Sequence, residues 1–537
     1  MAKTAHADTF VRDNLPPDDE LPVFLREPPY DYPERLNCAD LLDNAALRSP
    51  SEELVQIGKP WFMEGDGWTY DDMQCVSNIY ARVLADDPEW TTGTRVLLHA
   101  VNGPETVAAW FGIVKAGGVV VATMPLLRAG ELAKIVDKAE VQWAIADAAL
   151  REATDGAAEA TGKLQRRFYM GEGGDLEVLA SGRDPAFEKV DTAADDPVLI
   201  AFTSGTTGEP KGCVQTHRDV LAMVDGFSQH VLRPGAEDVF AGTPPFAFTF
   251  GLGALMIFPI AAGASIVFPE EAGFEGLCKA IQYWRVTTLF TAPTGYRALL
   301  KLADQYDLSS LRKCVSAGEP LPAATSDAWF EKTGVRIIDG IGATEMMHIF
   351  ISAPPDAQRP GATGKPVPGY VAEVQDEHGR ALPVGEVGRL AVRGPTGCRY
   401  LADPRQRQYV RNGWNMTGDL YRVDADGYFH FVSRADDLIV SSGYNIAAPE
   451  VENALLTHPA VAECAVIGAP CEERGQIPKA FVVLRDPAAA SDALRAELQA
   501  HVKATIAPYK YPRALEFVDA LPKTPTGKLQ RFRLKET

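Results

Sequence analysis

Residues 203–212 read Thr203-Ser204-Gly205-Thr206-Thr207-Gly208-Glu209-Pro210-Lys211-Gly212, directly after the apolar run 197–202. Glycine allows positive φ and close approach of the backbone to a ligand. Successive N–H groups and hydroxyls form an anion nest, and a lysine adds a point charge. That chemistry suits a polyphosphate; a flexible surface turn is the plain alternative. It is not a Walker A loop, which needs Gly-Lys-Ser/Thr, because Lys211 lies between Pro210 and Gly212. A second stretch, Asp339-Gly340-Ile341-Gly342-Ala343-Thr344-Glu345, follows the strand-like residues 336–338. Openings beyond strand ends are where α/β sheets bind ligands. Thr344 and Glu345 offer oxygen atoms, and Mg²⁺ favours a carboxylate plus substrate phosphate oxygens. Glu345 serves equally well as a carboxylate at a helix N-terminus.

Other stretches are less specific taken alone. Asp419, in Thr417-Gly418-Asp419, could cap a turn. The charged run from Arg434 through Asp436, Ser442, Gly443 and Tyr444 to Glu452 could be a solvated linker. Lys528 closes Pro522-Lys523-Thr524-Pro525-Thr526-Gly527-Lys528, a turn-like segment near a basic end. The aromatic, glycine-rich residues 244–253 include Phe248, Thr249 and Phe250. They suit a core, and aromatic faces beside glycines would also wall a flat slot for a planar ring. His348 lies three residues after Glu345, where a lone histidine commonly packs or caps.

The elements that must hold these residues follow from pattern. A chain of 537 residues exceeds one core, so several domains are expected. Hydrophobic residues at 46 % and charged residues at 23 % are ordinary for a globular protein. Fifty-two Lys and Arg against 72 Asp and Glu give a net charge of −20, which argues against a nucleic-acid or anionic-membrane partner. Eight cysteines without a CxxC pair indicate reduced, packed thiols and a cytoplasmic protein. Residues 1–12 lack the apolar core of a signal peptide, and no apolar run is long enough for a membrane helix. Residues 1–36, rich in Pro, Asp and Glu, read as an extended, loosely structured lead-in. From residue 37 strands and helices alternate: strand 96–101, helix 105–115, strand 119–122, then strands at 143–146, 265–268 and 288–291. That rhythm implies parallel pairing. Residues 353–435 turn to short strands with turn residues, a β-rich subdomain within an N-terminal domain of 37–435. Residues 436–537 read as a small α+β domain. Its helix is signalled by Leu494, Leu498, Val502 and Ile506 at i, i+4 spacing. The expected class is α/β: a large domain of parallel, helix-flanked sheets with a β-rich subdomain, and a small mobile C-terminal domain.

Ser-Gly-Thr-Thr-Gly-x-Pro-Lys-Gly at residues 204–212 resembles the phosphate-binding motif of the adenylate-forming enzymes, which include acyl- and aryl-CoA ligases, peptide-synthetase adenylation domains and luciferases. The other four stretches match that superfamily's motifs in order, to residue 528. The resemblance implies ATP, Mg²⁺ and coenzyme A as ligands. It implies that residues 203–208 with Lys211 clamp the β- and γ-phosphates, that Thr344 contacts phosphate and that Glu345 coordinates Mg²⁺. It further implies adenine between Ala317-Gly318-Glu319 and Asp339-Gly340, with Asp419 and Arg434 at the ribose. Asp436 would be a lid hinge, Ser442-Gly443-Tyr444 would meet the pantetheine arm, and Lys528 would be the catalytic lysine. A compact cation on a flexible stem suits that last task. The run through His348 looks like the benzoate-type CoA ligases, in which this histidine faces the aryl acid. The slot would be lined by Phe248, Thr249, Phe250, Ile341 and Gly342. Benzoate ligases commonly carry Tyr where this chain has Phe250, and residues 121–130 look more like 2-aminobenzoate–CoA ligases.

The resulting expectation is an ATP-dependent aryl-CoA ligase acting on an aromatic acid, which could assemble as a homodimer. The alternatives are an adenylation enzyme that loads a carrier protein's pantetheine, and a nucleotide-binding regulator without catalysis.

Overall fold

The computed structural model describes residues 3–55, 67–204, 209–441, 444–471, 474–523 and 529–535. Two sheets form the body. The six-stranded sheet runs Arg166–Met170, Trp143–Asp147, Arg95–His99, Val119–Thr123, Pro197–Ser204, Pro210–Thr216; its first five strands are parallel and the last is antiparallel. A nine-stranded sheet holds Val239–Gly242, Thr288–Thr291, Lys313–Ser316 and Ile337–Gly342 side by side in parallel. The α/β class and the parallel pairing read from the sequence are thus observed.

The largest core lies between these sheets and is crossed by the helices Tyr70–Ala85 and Pro104–Lys115. The second helix is buried on every side except at Glu105, so it reads apolar all round instead of amphipathic. Its one buried charge is satisfied: Lys115 Nζ pairs with Asp43 at 2.7 Å and donates to Ser77 and Asn78. A buried ammonium without those partners would be strongly destabilising.

A five-stranded antiparallel sheet contains Val371–Gln375, Gly388–Arg393, Trp414–Val423 and Phe429–Arg434. It begins later than the expected β-rich subdomain, because Lys365–Pro366 pairs with Ile349–Ser352 at the edge of the nine-stranded sheet. The final sheet runs from Leu438–Ser441 through Gly475–Leu484, with Ala514–Phe517 added in parallel. The helix Asp492–Thr505 buries Leu494, Leu498 and Val502 against it, each worth about 1.5–3 kcal/mol. Ser491 starts that helix by accepting from the Leu494 N–H at 3.2 Å.

Residues 3–36 are not loose. The Asp196 carboxylate, buried, accepts from the Thr4 hydroxyl and the Ala5 N–H, and Val11 enters the core. Tyr30 donates to the Pro368 carbonyl, and Phe24 bridges to Gly394. The segment has an open-chain composition, yet buried partners on the body hold it. Among the described residues no helix is long and apolar enough to cross a membrane.

Candidate active site

The motif at 203–212 joins two paired strands. Pro197–Ser204 and Pro210–Thr216 form an antiparallel hairpin in which Thr203 and Lys211 face each other. Gly205, Thr206, Thr207 and Gly208 lie outside the described residues, as does the Ser204 side chain. Thr203 Oγ1 is buried and has no hydrogen-bond partner. A buried hydroxyl without a partner is costly, and a phosphate oxygen would satisfy it. Glu209 points away and pairs with Lys134 at 2.9 Å. Lys211 turns inward: its Nζ donates to the Tyr400 hydroxyl at 2.8 Å and lies 3.6 Å from Glu345 Oε1.

Glu345 sits in the short turn Thr344–Met346 and is 7 % exposed. The Tyr400 hydroxyl donates to its Oε1. Gln215, on the lysine's own strand, donates to the Thr344 carbonyl at 2.7 Å and ties the turn to the hairpin. Met347 at φ +68° reverses the chain, so that Glu345 and His348 leave the turn in different surroundings. Among the described residues no group of three His, Cys, Asp or Glu could cage a metal. One buried carboxylate beside a phosphate site is the donor set Mg²⁺ accepts, since it takes its other ligands from phosphates and water.

Asp339-Gly340-Ile341-Gly342 belongs to a strand and does not leave one: Asp339 pairs with Ser316 in parallel, and Gly340 to Gly342 pair with Ile349–Ser352 in antiparallel register. A Cβ on Gly342 would meet the His348 carbonyl oxygen at 2.9 Å, so glycine permits that close return. Asp339, Gly340, Ile341, Gly342, Gly318 and Glu319 line a cleft of about 1540 Å³. Desolvation pushes the Asp339 carboxyl up to about 7, only partly offset by the Gly340 N–H. Ala317 does not line the cleft; it is buried in the core between the sheets.

Asp419 and Arg434 also line the cleft, on adjacent antiparallel strands directly opposite each other. Arg434 Nη1 donates to Asp419 Oδ1 at 3.0 Å and to the Thr417 carbonyl at 3.1 Å. Gly418, at φ +82°, leaves room for that guanidinium, which a Cβ would meet at 2.8 Å. The pair holds the carboxylate toward the cleft, where two vicinal hydroxyls could donate to it.

His348 is 3 % exposed and boxed by aromatic rings: Phe258 at 4.7 Å, Phe227 at 5.3 Å and Phe250 at 5.8 Å between centroids. Desolvation pushes its pKa down to about 3, opposed only by the backbone at Phe250, so the ring is neutral at working pH. Neither ring nitrogen has a hydrogen-bond partner within normal geometry. Phe248 precedes the helix Thr249–Leu252, in which Thr249 is buried. Two π-helical stretches, Val224–Leu232 and Gly253–Ile257, carry Phe227 and Gly253 against His348. Such bulges frequently mark functional sites.

The C-terminal sheet closes the far side of the cleft. Lys523 and Leu529 bridge to each other and line it. Lys528, between them, lies outside the described residues, as do Ser442 and Gly443; Asp436 and Tyr444 are described in backbone only. Arg531, just beyond, is held by both Glu452 oxygens at 2.7 Å.

Of the residues read from the sequence that are described, Thr203, Lys211 and Glu345 come together at one corner, Asp339, Gly340, Asp419 and Arg434 line one cleft, and Phe250 and His348 share an aromatic box. Tyr400, Gln215, Phe227 and Phe258 were not read from the sequence. Only Phe258 had a signal, lying eight residues from Phe250 on one helical face.

The family of AMP-binding enzymes matches residues 42–400, and the AMP-binding enzyme C-terminal domain matches residues 450–528. A benzoate–CoA ligase of Thauera aromatica is 34 % identical over 521 residues, covering 95 % of this chain and 97 % of that protein. The solved anthranilate CoA ligase AuaEII, in complex with anthranoyl-AMP, superposes with a TM-score of 0.89 at 35 % identity, over 94 % of this chain and 98 % of that one. A benzoate CoA ligase from Burkholderia xenovorans LB400 gives a TM-score of 0.84 at 30 % identity, over 93 % of this chain and 100 % of that one. The chain belongs to the AMP-binding enzymes, as an AMP-forming acid–CoA ligase.

Proposed function

We propose that this ligase activates an aromatic carboxylic acid, 2-aminobenzoate or a benzoate-like acid, through an aryl-adenylate and then forms its CoA thioester. The observation that carries the aromatic part is the box of Phe227, Phe250 and Phe258 around a neutral, unpaired His348. Flat rings on several sides suit a planar acid, and an imidazole without a partner can exchange a hydrogen bond with a polar ring substituent. Phe250 contributes no hydroxyl of its own, which leaves that role to His348.

A carboxylate acylates poorly because its leaving group is oxide. In the first step its oxygen attacks the α-phosphorus of ATP and pyrophosphate leaves. In the second the CoA sulfur attacks the acyl carbon, AMP leaves and the thiol proton is released. Thr203, Lys211 and residues 204–208 would hold the β- and γ-phosphates, with Thr344 beside them. Mg²⁺, held at Glu345 and by phosphate oxygens, would neutralise charge gathering there. Asp419 would accept from both ribose hydroxyls while Arg434 fixes its orientation. Lys528 would stabilise the reacting carboxylate and α-phosphate. The second step needs that lysine withdrawn and a path for pantetheine past residues 442–444, so the C-terminal domain would turn about Asp436.

The test is product analysis with ATP, Mg²⁺, 2-aminobenzoate or benzoate, and CoA. Aryl-CoA with AMP is expected; aryl-adenylate that passes only to a carrier protein's pantetheine would overturn the CoA assignment. His348→Ala is expected to raise the aryl-acid KM about 10–100-fold, matching a lost contact of roughly 1.4–2.8 kcal/mol, with the ATP KM nearly unchanged. An unchanged aryl-acid KM would remove His348 from the slot.

A further inference from the structure

Tyr400 belongs to none of the motifs, yet its hydroxyl stands between the two charged side chains of the phosphate and metal corner. It is 1 % exposed. Its backbone is locked to the lysine's strand: Leu401 N–H donates to the Gly212 carbonyl at 2.9 Å, and Val214 N–H donates to the Arg399 carbonyl at 2.8 Å. Its own N–H donates to Gln406 Oε1 at 3.0 Å. The phenol is thereby fixed from the main chain outward.

Hydrogen-bond chemistry then sets the direction of the bridge. An ammonium only donates and a carboxylate only accepts, whereas a phenol does both. Lys211 Nζ therefore donates to the Tyr400 oxygen at 2.8 Å, and the phenol proton goes to Glu345 Oε1. The phenol itself adds no formal charge to the bridge. Lys211 and Glu345 remain 3.6 Å apart, beyond a direct charge-assisted hydrogen bond of about 2.7–2.9 Å. Without the phenol oxygen between them, opposite charges at that distance would close into a direct pair. That pair would use up the cation intended for phosphate and the carboxylate intended for the metal.

We propose that Tyr400 is a positioning residue for the adenylate-forming step, a neutral spacer that keeps Lys211 and Glu345 apart and each available to MgATP. This role rests on the ligase reading of the site. Tyr400→Phe keeps the ring and removes only the bridge. Tyr409→Phe is the matched control: that partly buried ring packs against Tyr400 at 5.9 Å, and its hydroxyl has no hydrogen-bond partner.

Four quantities separate positioning from mere packing: MgATP affinity by calorimetry without acid, the Mg²⁺ concentration at half-maximal ATP–pyrophosphate exchange, thioester formation from supplied aryl-adenylate, and Tm. For Tyr400→Phe we expect MgATP affinity and half-saturating Mg²⁺ each to worsen about tenfold, and exchange to fall about 10–100-fold. Thioester formation should stay within twofold, and Tm close to wild type. Tyr409→Phe should match wild type in all four. Unchanged MgATP affinity and exchange would overturn the role. So would a joint fall of both half-reactions and Tm with the Mg²⁺ midpoint unmoved, which marks packing alone. Wild-type protein showing no acid-dependent exchange would instead remove the ligase reading, and this role with it; that failure is visible before any variant is compared.

Discussion

Glu345→Gln is expected to lower acid-dependent ATP–pyrophosphate exchange by about 10²–10³-fold, the usual consequence of losing one preorganised charge that faces a developing one. The substitution is nearly isosteric. The Tyr400 hydroxyl can still donate to the side-chain oxygen, and Gln215 still holds the Thr344 carbonyl, so the turn should keep its shape. What is lost is one negative charge at a site 7 % exposed, where no neighbouring group of three carboxylate, thiol or imidazole ligands among the described residues can replace it. The metal's share of MgATP binding should weaken, so the deficit should shrink as Mg²⁺ is raised, while Tm stays close to wild type. Thioester formation from supplied aryl-adenylate should suffer far less, because pyrophosphate has already gone. Loss of Tm together with both half-reactions would show instead that Glu345 only stabilises its turn.

Lys528→Ala is expected to separate the half-reactions most sharply. Adenylate formation should fall by about 10²–10³-fold or more, since the lysine would face the carboxylate and the α-phosphate as charge is rearranged there. Conversion of supplied aryl-adenylate to thioester should remain within a few-fold of wild type. The described ends of the segment motivate this expectation: Lys523 and Leu529 bridge to each other on the wall of the cleft, which they share with Asp339 and Asp419. Lys523 itself is engaged with Glu463 at 2.6 Å, so it is a poor substitute for the missing charge. Equal loss in both half-reactions would contradict the assignment.

Much of this was legible in the sequence, for definite reasons. A buried parallel strand such as Val119–Thr123 begins as a continuous apolar run, and the helix Asp492–Thr505 shows its stripe. Local motifs picked out residues that line one cleft, because Asp339, Asp419 and Arg434 sit in distinctive runs. What stayed hidden depends on long-range placement. Tyr400 gains its partners only because residues 398–401 lie beside the strand Pro210–Thr216, nearly two hundred positions earlier. Phe227 stands in the π-helical stretch Val224–Leu232, which no sequence pattern marks, and only the return of the chain at Met347 brings His348 against it. The hairpin at 203–212 was not legible because its glycine-rich composition signals a ligand-binding loop but not the return of Pro210–Thr216 as a strand paired with Pro197–Ser204. The lead-in misled through its composition: Pro and acidic residues imply disorder, but Asp196 and the Pro368 carbonyl supply partners that composition does not show.

Acid-dependent ATP–pyrophosphate exchange isolates the activation step and so bears most directly on aryl-acid activation by this chain. It should be run over a panel of aromatic and aliphatic acids and repeated with CoA. Exchange with 2-aminobenzoate or a benzoate-like acid, at least about tenfold above aliphatic acids and converted to aryl-CoA plus AMP once CoA is present, is the expected result. Exchange as fast with aliphatic acids, or none with any aromatic acid, would contradict it.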